Sequence, residues 1–133
     1  MRTLGLICSF LVFTPLVISQ KLVRKTLVYS DIAYIQIDAQ NCFEVEINTI
    51  PGNELLVEAA MEGEYKKDLA INLEEDSAVL RVGASFLPNF RHPNDKLSAH
   101  KVISIKLQLK IPEYKEVRLY GTNSNVKANG NYK

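Results

Sequence analysis

The chain has 133 residues, with 16 Lys and Arg against 15 Asp and Glu, a formal charge of +1 and a mean hydropathy of −0.04. A balance this even gives no electrostatic basis for nucleic acid or an anionic membrane as partner. The two cysteines, Cys8 and Cys42, cannot build a disulfide framework, so stability has to come from apolar burial.

Residues 1–19 carry Arg2, an apolar stretch from Leu4 to Val17, and a small residue, Ser19, at the exit. This is the layout of a secretory signal peptide cleaved before Gln20. Lys21, Arg24 and Lys25 close the apolar run short of the roughly 20 residues that a bilayer-spanning helix needs, so no transmembrane anchor is expected. Cys8 follows Leu6 and Ile7 and lies too early for a lipoprotein start. The expected organisation is a signal peptide over 1–19 and one all-β domain over 20–133, a length suited to a single core. The expected location is secreted, periplasmic or cell-surface. Cleavage would leave 15 charges of each sign and Cys42 as a lone thiol.

From residue 33 the chain alternates apolar and polar residues, the period of a strand with one face buried. Ala33, Ile35 and Ile37 alternate with Tyr34, Gln36 and Asp38; Phe43, Val45 and Ile47 alternate with Glu44, Glu46 and Asn48. On that phase Cys42 joins Glu44 and Glu46 on the accessible side. After the turn Ile50-Pro51-Gly52-Asn53, Leu55, Val57, Ala59 and Met61 face one way and Glu54, Glu58 and Glu62 the other. Leu69, Ile71 and Leu73 lead through Glu75-Asp76-Ser77 into Leu80, Val82 and Ala84, a predicted hairpin. The rhythm breaks over 86–100, where Pro88, Asn89, Pro93, Asn94 and Asp95 predict a long loop. The cleanest strand follows, with Ile103, Ile105, Leu107, Leu109 and Ile111 in phase up to Pro112. Val117 and Leu119, a turn over Gly121 to Asn125, and Val126, Ala128, Gly130 and Tyr132 then predict strand, corner and strand. The expected fold is all-β, a single domain of short alternating strands forming either a β-sandwich or the start of a β-solenoid.

The stretch ISIKLQLKIPEYKEVRLYGTNSNVKANG, from Ile103 to Gly130, resembles adhesin-like proteins of bacterial envelopes of the auto-transporter adhesin-head type. The resemblance rests on the strand Ile105 to Ile111, the bounding Pro112, the step Val117 to Tyr120, the turn Gly121 to Asn125 and the step Val126 to Gly130. It covers the last quarter of the chain by motif. It implies coils of a β-solenoid, each covering the apolar edge of the previous one, and a binding or structural role without catalysis. Members of that family continue for more coils than follow Gly130 here.

Residues with chemistry are few. His92, Asp95 and His100 share the irregular loop, but their spacing fits neither H-E-x-x-H nor a Cys/His finger and reads as solvated surface. Glu74, Glu75 and Asp76 lack a D-x-D-x-D-G context and suit a hairpin turn. No nucleophile elbow, phosphate loop or dinucleotide fingerprint is present. No catalytic, cofactor or metal residue is therefore assigned, and no cofactor is expected. Tyr34 and Tyr120 fall on the polar phase of their strands, and Phe86 and Phe90 flank the loop, so a small aromatic patch is conceivable. The expected partners are a cell-surface glycan or protein, or a second β-edge paired with the terminal strands. The alternative is a polysaccharide hydrolase or lyase on a solenoid scaffold, for which Glu44, Glu46, Glu54 and Glu58 are the available carboxylates.

Overall fold

The computed structural model of the chain describes residues 20–28, 31–91 and 103–133. The expected signal peptide, and His92, Asp95 and His100 with the greater part of the expected loop, lie outside the described residues. Among the described residues there are nine strands, β1 (Lys21–Val28), β2 (Tyr34–Asp38), β3 (Glu44–Ile50), β4 (Glu54–Glu62), β5 (Leu69–Asp76), β6 (Val79–Phe86), β7 (Ser104–Pro112), β8 (Glu116–Tyr120) and β9 (Asn125–Asn129), and one 3-10 turn at Lys66–Asp68. They build two mixed sheets. The first has the order β1-β4-β7-β3-β9 and the second β5-β6-β2-β8.

Alternation explains why these layers pack. Ile35 and Ile37 of β2, Leu80 and Val82 of β6, and Leu69 and Ile71 of β5 meet Val45, Val57, Leu107 and Leu109 of the first sheet in one apolar core. No polar or charged side chain among the described residues is buried. The all-β expectation is met, and the arrangement is sandwich-like rather than a closed barrel. The most regular strand of the sequence, β7, lies at the centre of the first sheet, flanked by β4 and β3. The predicted hairpin is β5 and β6, paired antiparallel through a two-residue turn in which Ser77 takes φ 55°.

Parallel pairing dominates one half. β6, β2 and β8 run parallel side by side in one sheet, and β7, β3 and β9 do so in the other. The crossing from β2 to β3 therefore stacks on the crossing from β8 to β9. The backbone N–H of Ala39 donates to the Tyr120 carbonyl at 2.7 Å, that of Asn125 to the Phe43 carbonyl at 2.9 Å, and Ser124 Oγ donates to the carbonyls of Ala39 and Cys42. Gly121 sits where a Cβ would come within 3.0 Å of the Ala39 Cβ, which is why the second corner carries glycine at that point.

This corner also reverses one expectation. Cys42 is buried and Phe43 is half exposed, the opposite of the phase read from β3 alone. The chain turns at Gln40 and Asn41, with the Cys42 N–H donating to the Ala39 carbonyl at 3.0 Å, so the period of two does not run through residues 42 and 43. Burial, reinforced by the charge of Asp38, pushes the Cys42 thiol up to about 11.

Candidate functional site

The outer faces of the two sheets are both polar but differ in how their side chains are paired. On the first sheet, Arg24, Glu58, Gln108, Glu46 and Lys127 lie in one row across all five strands. Each finds a partner inside the chain. Arg24 donates to Glu58 at 2.7 to 2.8 Å, Lys106 bridges Glu44 at 3.0 Å and Glu46 at 3.9 Å, Gln108 donates to Glu46 at 3.3 Å, and Lys127 reaches Glu44 at 3.4 Å. The hydrogen bond from Lys106, aided by Lys127, holds Glu44 below the usual carboxylate range. Hydrogen bonds from Asn48 and Gln108 do the same for Glu46. Carboxylates held ionised in this way are poor general acids near neutral pH. Glu58 is ion-paired with Arg24, so Glu44, Glu46 and Glu58 belong to a charge ladder across the sheet, while Glu54 at the start of β4 stands outside it.

On the second sheet, two rows cross four strands: Glu74, Arg81, Gln36 and Arg118, and beside them Asn72, Gly83, Asp38 and Tyr120. Gly83 has no side chain, and around it the face sinks into a depression of about 220 Å³ bounded by Asp38, Asn72, Glu74, Arg81 and Ser85. Its polar groups are incompletely used. Asp38 Oδ1 accepts the Gln40 N–H at 3.0 Å, while Oδ2 has no partner among the described residues. Arg81 is held only loosely by Asp76 at 3.9 Å, and Asn72 donates to Ser85 Oγ. The side chains of Gln36 and Glu74, both lining the depression, make no hydrogen bond or ion pair among the described residues.

Aromatic residues complete the face. Arg118, paired with Glu116 at 2.8 Å, lies over the Tyr34 ring at 4.7 Å from its centroid, so that ring face is taken. Tyr120, 50% exposed, stands in the same row as Gly83 and next to Asp38. Phe86 and Phe90 form no surface patch with these tyrosines: they stack at 4.2 Å with Tyr65 packed edge-on against both.

The remaining residues singled out in the sequence divide plainly. Glu74 and Asp76 fall on this outer face, and among the described residues no group of three His, Cys, Asp or Glu side chains is placed to hold a metal ion. No helix of the described residues is long and apolar enough to cross a membrane. The depression itself went unforeseen. Its only trace in the sequence is Gly83, a glycine inside an otherwise regular strand, which marks a place where something approaches the backbone closely. At the far edge, β8 and β9 border both sheets, and Val126 is 44% exposed beside Val117, Leu119 and Ala128. The Tyr132 hydroxyl covers part of this edge, within 2.9 Å of the Asn129 carbonyl and 3.1 Å of the Ile47 carbonyl.

Neither the known protein families nor the curated proteins give a match to the sequence. Among solved structures, the chain is similar in outline to a "putative adhesin" from Parabacteroides merdae ATCC 43184, at 18% identity over 84% of this chain and 37% of that one, TM-score 0.38. It is also similar to a "putative cell adhesion protein" from Clostridium sporogenes ATCC 15579, at 16% identity over 81% of this chain and 51% of that one, TM-score 0.42. The chain thus spans between about a third and a half of the length of these two proteins.

Proposed function

We propose that this chain is an exported, non-enzymatic, adhesin-like binding module of the bacterial envelope that engages its partner through the outer face of the second sheet. The observation that carries the reading is the contrast in hydrogen-bond use: the central row of the first sheet, from Arg24 to Lys127, is paired within the chain, so that the depression beside it is lined by groups already bonded, Lys110 excepted, whereas Gln36, Glu74 and Asp38 Oδ2 converge on an open depression without partners among the described residues. Export is supported by the composition of residues 1–19, and the adhesin-like role by the motif from Ile103 to Gly130. The stacked parallel crossings β2 to β3 and β8 to β9 support reading this half as the first coils of a solenoid.

The test measures binding of the full chain to isolated bacterial envelopes and immobilised surface glycoproteins, beside a reducing-sugar assay on polysaccharides. Saturable binding without released sugar is expected. Sugar release that disappears in a Glu44→Gln or Glu58→Gln variant would replace the module with the hydrolase alternative. A second contact mode, self-association through β8 and β9, is favoured by the exposure of Val126 and opposed by Lys127 on the same strand. Light scattering over a wide concentration range decides it, a constant monomer mass being the outcome against.

A further inference from the structure

We infer that the depression at Gly83 is a saccharide subsite that takes a neutral sugar ring, with the exposed Tyr120 as the platform for the next sugar along the chain. This deepens the binding-module reading and rests on it.

The ligand class follows from the donors and acceptors that line the depression. A sugar presents adjacent hydroxyls, each able to donate and accept, and is best matched by carboxylates that accept beside amides that do both at close range. The depression offers Asp38 Oδ2 and the Glu74 carboxylate as acceptors, Arg81 as donor, and the Gln36 amide as both. Its floor is backbone, because Gly83 leaves the space that a side chain would fill, and the opening is wide enough to keep a ring partly solvated. Gly83, Asp38 and Tyr120 lie on three neighbouring strands in one row. Strand spacing puts Tyr120 roughly 10 Å from the depression, about the span of a disaccharide. Tyr34 is covered by Arg118, which leaves Tyr120 as the ring in these rows with an uncovered face for stacking.

Charge narrows the class further. Asp38 and Glu74 face one guanidinium, Arg81, which also touches Asp76. A carboxylated or sulfated sugar would therefore meet net repulsion, whereas neutral and amino sugars would not. The site discriminates by sign as well as by shape.

Gly83 permits a clean test. Its φ is not positive, and a Cβ there would lie 3.4 Å from the Asp38 Cβ, an ordinary contact, so Gly83→Ala adds a methyl group without straining the strand, and Gly83→Thr fills more of the depression and is read only where its thermal midpoint matches that of the parent. The full chain is applied to a printed array of neutral, amino, sialylated and sulfated oligosaccharides, and each hit is titrated against Gly83→Thr, Gly83→Ala, Asp38→Asn and Tyr120→Ala. Binding to neutral or amino sugars is expected, weakened about tenfold or more by Gly83→Thr and by about threefold to tenfold by Tyr120→Ala. Thermal midpoints of both glycine variants should equal or exceed that of the parent. If folded Gly83→Thr and Gly83→Ala bind every sugar as the parent does, the subsite is wrong. An array that is silent, or that shows only sialylated and sulfated hits, also overturns it. If the parent still binds envelope material through protease-sensitive components, with Gly83→Thr unimpaired, the binding module stands and the saccharide subsite falls. If it binds neither sugars nor envelopes, both fall.

Discussion

The outer faces of the two sheets follow the same alternating pattern but differ in make-up: Lys106 and Lys127 tie the glutamates of the first together, whereas the strands of the second hold no lysine and present Asp38, Tyr34 and Tyr120 instead. Along the central row of the first sheet and beside it, charges meet opposite charges or amides, as with Glu44 beside Lys106 and Glu58 beside Arg24, while Glu54 and Lys110 on the same face have no ion pair among the described residues. Across the second, Gly83 removes one side chain from the row, and its neighbours Gln36 and Glu74 are left without partners among the described residues. The difference teaches that polarity alone does not make a binding face; what matters is which hydrogen-bonding groups the fold leaves unsatisfied. The two faces share one core, which gives the largest expected effect. Leu107, fully buried at the centre of the first sheet, packs in the same cluster as Ile37 and Val82 of the second. Leu107→Ala should cost about 2 to 5 kcal/mol in denaturant unfolding, with loss of both faces in a single transition. Two separated transitions would show that the sheets do not share a core.

Cys42 marks the seam between the faces and comes next. With the thiol pushed up to about 11 from an ordinary 9.0, the thiolate fraction at neutral pH falls by about a hundredfold, and burial blocks approach of the reagent. Labelling should be slow in buffer and complete in denaturant. Rapid labelling of the native chain would mean that the corner is open.

The same corner shows what the sequence made legible. Within β2 to β7 the period of two assigned faces correctly: Val57, Val82, Leu107 and most of their phase-mates are buried, but β8 buries Val117 and Leu119 only in part and β9 leaves Val126 and Ala128 exposed. It misled at Cys42 and Phe43, because alternation is a property of extended backbone and Gln40 and Asn41 turn. It also missed β1 altogether. The inward positions of β1 read Lys21, Val23, Lys25 and Leu27, and the two lysines satisfy backbone of the other sheet: Lys21 Nζ donates to the Leu69 carbonyl at 2.7 Å and Lys25 Nζ to the Ile71 carbonyl at 2.9 Å. An edge strand whose inner face is half lysine carries no hydrophobic period to find. The Gly83 depression stayed hidden for a different reason: the hairpin brings Asn72 beside Gly83, but the other wall depends on Asp38 of β2, which pairs with β6 from far away in the sequence.

Two glycines sharpen the comparison at intermediate size. Gly130, just past β9 at the edge of the first sheet, has φ +115°, and a Cβ there would collide with Thr49 Oγ1. Gly130→Ala should therefore destabilise by about 1 to 3 kcal/mol. Gly83→Ala, in unstrained strand on the second sheet, should be neutral or stabilising by up to about 1 kcal/mol. The first glycine is required by the backbone and the second is not, which is what a position kept open for a ligand would look like. Equal losses at the two positions would remove that distinction.

The smallest effect concerns the ladder itself, whose members are close to solvent and screened. Glu44 and Glu46 titrate below the ordinary 4.5, and Lys106 above the ordinary 10.5 because of its hydrogen bond to Glu44. A carboxylate with a lowered folded value contributes stability that is fully present above about pH 4.5 and is lost as pH falls through the folded value. A lysine with a raised folded value contributes below about pH 10.5 and loses its contribution as pH rises through the folded value. The stability difference between the parent and Glu44→Gln should accordingly be flat between about pH 5 and pH 10, shrink on both the acid and the alkaline limb, and shrink again in 1 M salt. Glu74→Gln, on the face where the carboxylate has no ion-pair partner among the described residues, should change stability by less than about 0.5 kcal/mol at neutral pH. A Glu44→Gln difference that stays constant from pH 2 to pH 11 would mean that the ladder carries no net charge pairing, and the contrast between a satisfied face and an unsatisfied one would then rest on the amides alone.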